Sequence, residues 1–123
     1  DLLHAGHKHL LNEAKQNCDY LVVGINSDSS INLIKGPERP IDKKKKRVEN
    51  LSKLKCVDSI ISFNEKTPLN IIKIIKPNII FKGSDYKINE IVGSDFVFAY
   101  GGDVMLINVL KGISTTEIIK RGF

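Results

Sequence analysis

Apolar residues along the chain recur at two spacings, one typical of helices and one typical of strands. Leu10, Leu11 and Ala14 repeat with a period near 3.6, which predicts a helix with one apolar stripe. The run 20–25 is short, apolar and rich in β-branched residues, which predicts a buried parallel strand. Turn and capping residues at 26–30 mark the end of this strand.

The succession of strands and helices continues to the end of the chain. Further strands are predicted at 57–63, 79–81 and 104–109. Further helices are predicted at 31–35, after Asp42, at 67–75, at 88–92, and in a closing helix that opens with the capping pair Ser114 and Glu117. This alternation predicts a single α/β domain, residues 1–123, with an open parallel sheet and helices on both faces.

No strand precedes the first helix in this sequence. A helix start that carries reactive side chains normally follows a strand, and none precedes Asp1. We therefore expect the first strand to lie outside this numbering, or the domain to be incomplete at its amino terminus.

Composition excludes several classes of protein. Its 41% apolar and 27% charged residues are typical of a soluble globular domain, and no apolar run or signal peptide indicates a membrane or an export pathway. The spacing of Cys18 and Cys56 matches no metal or redox motif, so free thiols in the cytoplasm are expected. The net charge of +5 is consistent with binding to a nucleic acid, a membrane surface or a polyanionic small substrate. It could equally reflect a lysine-rich genome, so charge alone does not decide between these functions.

Two histidines at the start of the first helix suggest phosphate chemistry. His4 and His7 are three residues apart and so share one helical face. Gly6 lacks a Cβ, so an anion could approach the positive end of the helix closely there. A solvated helix start is the alternative. A zinc site is disfavoured, because no cysteine lies nearby and no complete ligand set is visible.

Other polar clusters fall at predicted strand ends and helix starts. Ser114 and Thr115 follow Gly112 and could hold phosphates, or serve as a plain helix cap. Lys82 and Asp85 follow a strand and suit a polar ligand, a metal ion or a surface turn. The basic run 43–47 is read as a solvated helix face, with one or two side chains available to a triphosphate.

Two motifs resemble one enzyme superfamily. The sequence His-Ala-Gly-His at 4–7 is similar to the first signature of the cytidylyltransferase-like nucleotidyltransferases, and Gly-Ile-Ser-Thr-Thr at 112–116 is similar to the second. The chain also resembles one branch of this superfamily, the adenylyltransferase domains of ADP-heptose synthases. That resemblance extends over nearly the whole chain and includes residues 24–28, 35–40, 82–86 and 91–95.

The resemblance implies a Rossmann-like nucleotidyltransferase fold and a reaction. An AMP group would pass from ATP, with Mg²⁺, to heptose 1-phosphate, giving ADP-heptose and pyrophosphate for lipopolysaccharide or surface glycan synthesis. The partners implied are these small molecules and further copies of the chain, with no nucleic acid, no membrane and no resident metal.

The resemblance also assigns roles by position. His4 and His7 would contact the α-phosphate, and Lys35 and Arg47 would neutralise phosphate charge in the transition state. The nucleotide or sugar phosphate would be bound by the remaining candidates, which are Gly6, Lys82, Gly83, Asp85, Gly112, Ser114 and Thr115.

Two departures keep alternatives open. The leading strand of the family is absent, which leaves a truncated, inactive domain possible. Val109 stands where glycerol-3-phosphate cytidylyltransferases carry an arginine, which weakens that reading. Those enzymes and phosphopantetheine adenylyltransferase are the enzyme alternatives. A nucleic-acid-binding module is the non-enzyme alternative, although no aromatic residues interleave the basic run.

Overall fold

The computed structural model describes residues 5–36, 38, 43–84, 86–108 and 116–119. The helices are α1 (Ala5–Gln16), α2 (Asp28–Lys35), α3 (Lys44–Ser52), α4 (Leu69–Ile75) and α5 (Ser94–Ala99), with a 3₁₀ turn at Ile88–Glu90. The strands are β1 (Val22–Asn26), β2 (Ser59–Phe63), β3 (Ile79–Gly83), β4 (Asp103–Ile107) and β5 (Thr116–Ile119). No helix in the described part of the chain is long and apolar enough to cross a lipid bilayer.

The described strands form two sheets. In the first, β1 pairs with β2 in parallel, with Val23 opposite Ile60. In the second, β3 pairs with β4 in parallel, with Ile80 opposite Val104. Each parallel pair is connected through at least one helix, which is the connection that parallel strands require. The α/β class predicted from the alternating pattern is confirmed.

Strand β5 corrects one prediction. The capping pair Ser114 and Glu117 predicts a closing helix, but residues 116–119 pair with β4 in antiparallel fashion. Three of these four residues are β-branched, and such residues lose rotamer freedom in a helix and fit a pleated sheet. The open edge of β4 supplies backbone partners for them. Strand preference and available hydrogen bonds therefore outweigh the local capping signal.

The main hydrophobic core lies under α1 and joins the two sheets. Leu11 of α1 belongs to one buried cluster with Ile25 of β1 and Ile107 of β4. Leu106 belongs to a second cluster, with Ile91 beside the 3₁₀ turn. Because neighbouring residues of a strand point to opposite faces, the sheet that contains β4 is covered on both sides, as the sequence predicts.

Asp58 links the end of α1 to the start of β1. Its carboxylate accepts hydrogen bonds from the Leu21 N–H at 2.7 Å and from the Lys15 ammonium at 2.6 Å. The backbone bond from Leu21 and then the bond from Lys15 lower the pKa of the Asp58 carboxyl below its ordinary value of 3.8, and slight desolvation opposes them. The ionised form is therefore the form that stabilises this junction.

Replacing Asp58 with asparagine is expected to destabilise the protein at neutral pH but not in strong acid. Because the pKa of Asp58 is lower in the folded than in the unfolded state, the advantage of the wild type is complete above about pH 5 and is lost as pH falls through the folded pKa. Urea unfolding of both proteins across this range measures the difference, with the exposed Asp19→Asn variant as a control for net charge. An equal difference at all pH values would contradict this account.

Candidate active site

A pocket of about 340 Å³ lies beside β1, between α1, α2 and α3. It reaches the carboxyl end of β1, which is where ligands bind in open α/β sheets. Most of its wall is apolar and is formed by Leu10, Leu11, Val23, Gly24, Ile25, Ile31, Ile34 and Leu51. Its polar residues are His7, Asn26, Lys35, Arg47 and Asn50. An apolar wall with a few polar groups is typical of small-molecule sites, and the absence of a carboxylate among the described lining residues suits an anionic ligand.

His7 reaches this pocket because of the apolar stripe of α1. The helix begins at Ala5, so His7 lies in its first turn. Leu10 and Leu11, three and four residues later, share its helical face and line the same pocket. Burial of Leu11 in the core therefore fixes the rotation of α1 that directs His7 to the pocket.

Lys35 is brought to the pocket by a short, well-defined helix. The Ser27 side chain caps α2 by accepting a hydrogen bond from the Ser30 N–H at 3.3 Å. Gly36 ends the helix with a φ of 108°, a value that strains residues with a side chain. Lys35 is thus the last residue of α2, where the helix dipole favours a cation.

Arg47 lies in the first turn of α3 and is only 8% exposed. Its guanidinium donates one hydrogen bond to the Asn26 carbonyl at 2.6 Å and another to the Asp28 carboxylate at 2.8 Å. Burial alone would raise the pKa of Asp28, but the hydrogen bonds from Arg47 and from the Lys44 N–H outweigh it, and the pKa lies below its ordinary value. The ion pair with Asp28 is a feature that the sequence did not reveal.

His7, Lys35 and Arg47 are the candidates that the structure brings together, each from a different helix. Gly6 lies in the first turn of α1 but not in the pocket wall. Lys82 and Gly83 end β3 and do not line the pocket either. Five further candidates lie outside the described residues: His4, Asp85, Gly112, Ser114 and Thr115.

The Lys82 ammonium has a different neighbour in the structure. It lies 4.9 Å from the centroid of the Tyr86 ring, within the range of a cation–π contact. The strand predicted at 79–81 extends two residues further, so Lys82 and Gly83 are the last residues of β3 and do not follow it. A role for them in nucleotide binding stays a prediction.

Two polar residues of the pocket were missed by reasoning from the sequence. Asn50 follows Arg47 by three residues on α3, so the two share a face, and this spacing was a usable signal. Asn26 ends β1, and the sequence places it in a turn cluster and in the resembling stretch 24–28 without giving it a role. The rest of the basic run, residues 43–46, is exposed, as predicted for a solvated helix face.

Comparison with known proteins places this geometry in a family. Residues 1–121 match the family model described as cytidylyltransferase-like. The chain is 47% identical over 121 residues to the bifunctional protein HldE of Nitrobacter hamburgensis, and equally to that of Caulobacter vibrioides. Each alignment covers 98% of this chain and 25% of the relative, so the chain spans a quarter of the length of these relatives.

A solved structure agrees with the sequence comparison. The lipopolysaccharide core biosynthesis protein from Thermoplasma volcanium is 33% identical to this chain. The two structures superimpose with a TM-score of 0.67 over 83% of this chain and 82% of that protein. Family model, relatives and fold agree with the resemblance found in the two sequence motifs. The chain belongs to the cytidylyltransferase-like family of nucleotidyltransferases.

Proposed function

We propose that this chain transfers an AMP group from ATP to heptose 1-phosphate, giving ADP-heptose and pyrophosphate. The observation that carries the proposal is that His7, Lys35 and Arg47 line one pocket without a described carboxylate. The resemblance implies that these three residues contact the phosphates of a nucleoside triphosphate. They lie on three separate helices, α1, α2 and α3. The names of the relatives, bifunctional protein HldE and a lipopolysaccharide core biosynthesis protein, support a glycan precursor as the product.

The reaction needs positioning and charge stabilisation more than acid–base chemistry. An oxygen of the sugar phosphate, already anionic at neutral pH, attacks the α-phosphorus and forms the new P–O bond. The bond from the α-phosphorus to the oxygen bridging to the β-phosphate breaks, and pyrophosphate leaves with that electron pair. Negative charge therefore accumulates on the α-phosphate and the leaving group. His7 would serve the α-phosphate, while Lys35 and Arg47 would balance the charge of the phosphates around it.

Mg²⁺ enters this proposal as part of the substrate. Within the described ranges, no group of three or more His, Cys, Asp or Glu side chains is arranged to hold a metal ion. The Asp28 carboxylate beside the pocket is engaged by Arg47 and by the Lys44 N–H. Mg²⁺ commonly binds through substrate phosphates with few protein ligands, so the ion would arrive on the triphosphate.

The proposal is tested by measuring pyrophosphate release for ATP, CTP and GTP, each with heptose 1-phosphate and with glycerol 3-phosphate. We expect ATP with heptose 1-phosphate to give a kcat/KM at least about tenfold above every other pair, which corresponds to roughly 1.4 kcal/mol of discrimination. Fastest turnover of CTP with glycerol 3-phosphate would instead identify a glycerol-3-phosphate cytidylyltransferase. No pyrophosphate from any pair would overturn the proposal.

Two further expectations accompany this function. A reaction that consumes ATP belongs in the cytoplasm, where ATP is made. We also expect the chain to form homo-oligomers, which light scattering of the purified protein would measure.

A further inference from the structure

The Asp28 carboxylate contacts two groups at the start of α3. It accepts a hydrogen bond from the Arg47 guanidinium at 2.8 Å and another from the Lys44 backbone N–H at 2.7 Å. The same guanidinium donates to the Asn26 carbonyl at 2.6 Å. Arg47 is thus held from two directions, by the last residue of β1 and the first residue of α2.

This arrangement does more than satisfy a buried charge. A guanidinium is planar, and two contacts on different nitrogens fix its orientation as well as its position. The Asp28 side chain is 39% exposed and is absent from the pocket wall, whereas Arg47 is buried and forms part of that wall. The carboxylate is therefore placed to act on the pocket through Arg47.

We propose that Asp28 is a positioning residue, which holds the Arg47 guanidinium in the orientation that a bound triphosphate requires. The inference rests on the proposed function, since it assumes that Arg47 serves the phosphates. A displacement of about 1 Å in such a group can cost on the order of 100-fold in rate. Loss of the carboxylate removes one of the two contacts that, among the described residues, orient the Arg47 guanidinium, and leaves the contact with the Asn26 carbonyl.

The test is a double-mutant cycle with Asp28→Asn and Arg47→Lys. Asparagine keeps an oxygen that can accept from the Lys44 N–H, but it removes the charge that pairs with Arg47. We expect Asp28→Asn to lower kcat about tenfold with a much smaller change in the KM for the triphosphate, because the contact with Arg47 counts most in the transition state. In the Arg47→Lys background the same change should have almost no further effect, because lysine lacks the planar guanidinium that Asp28 orients.

Asp95→Asn is the matched control. Asp95 also lies in the first turn of a helix, α5, and it is exposed and absent from the pocket wall. This variant should keep the kcat of the wild type. Thermal unfolding of every variant identifies any loss of activity that follows loss of folded protein.

A purely structural ion pair would give a different result. Asp28→Asn would then lower the unfolding midpoint with kcat per folded molecule unchanged, or its effect would add to that of Arg47→Lys. Either result overturns the inference. The cycle is run with whichever triphosphate and acceptor the wild type uses fastest. It therefore still tests the role of Asp28 if the substrates differ from those proposed. If the wild type releases pyrophosphate from no pair, the proposed function fails on that measurement alone, and the inference fails with it.

Discussion

Replacing His7 with alanine is expected to lower kcat by at least about 100-fold while the protein stays folded. The side chain is exposed and lines the pocket, so its removal sacrifices little buried area. It would, however, remove a hydrogen-bond donor from the α-phosphate, where negative charge grows as the reaction proceeds. The loss should therefore appear in kcat more than in the KM for ATP. Pyrophosphate release at saturating ATP, with circular dichroism to monitor folding, measures it.

His9→Ala is the matched control for this prediction. His9 is on the same helix but two residues further, about 200° around its axis, and it does not line the pocket. Its Nε2 atom is buried without a hydrogen-bond partner among the described residues, so removal of that atom breaks no hydrogen bond there. We expect activity close to that of the wild type. A His7→Ala enzyme with a near-normal rate, or an equal loss in His9→Ala, would remove His7 from the mechanism.

Strong local patterns predicted most of the fold correctly. The β-branched run at 20–25 predicted a parallel strand correctly, and β1 begins two residues and ends one residue later than predicted. The predicted burial is wrong for Val22 and Gly24, which are exposed, whereas Ile25 is buried. The cluster of capping residues after β1 forms the start of α2, where the Ser27 hydroxyl accepts a hydrogen bond from the Ser30 N–H, as an N-cap residue does. Helix α5 (Ser94–Ala99) was not predicted, because its six residues present too few turns for a clear helical period.

The closing segment shows where local signals stop being sufficient. Ser114 and Glu117 have the spacing of a capping box, yet 116–119 form β5. Residues of β5 pair with residues of β4 that lie nine to fifteen positions earlier, so the available strand edge is not visible in the residues around 116–119. Where a short segment is rich in β-branched residues, an available strand edge decides between helix and strand.

The candidate site was predictable in its basic residues but not in their contacts. His7, Lys35 and Arg47 were named from motifs, and the structure places them around one pocket. The two hydrogen bonds that hold Arg47 come from far along the chain, since Asp28 lies 19 positions before it and Asn26 lies 21 positions before it. The Asn26 acceptor is a backbone carbonyl, a group that every residue has, so the sequence gives no sign of it. Packing of α3 against β2 and of α2 against β1 creates that contact, so only the folded chain reveals it.

Gly102→Ala is expected to destabilise the fold by about 2–3 kcal/mol, because the site has no room for a methyl group. A Cβ at this position would lie 2.4 Å from the Val97 Cγ1 and 2.9 Å from the carbonyl oxygen of Asn78. That oxygen accepts a hydrogen bond from the Asp103 N–H, and the Val97 carbonyl accepts one from Gly102 itself, both at 2.9 Å. Backbone atoms held in this way cannot move aside as the end of a flexible side chain can.

Gly24→Ala provides the comparison that separates crowding from the general effect of adding a methyl group. A Cβ there would lie 3.6 Å from the Phe63 ring, which is ordinary van der Waals contact, so we expect urea unfolding close to that of the wild type. The double variant Gly102→Ala with Val97→Ala removes the side-chain clash but not the clash with the Asn78 oxygen. It should therefore not recover the stability of Val97→Ala alone. Full recovery would show that β4 can shift at its start, and that the side chain of Val97 was the whole obstacle.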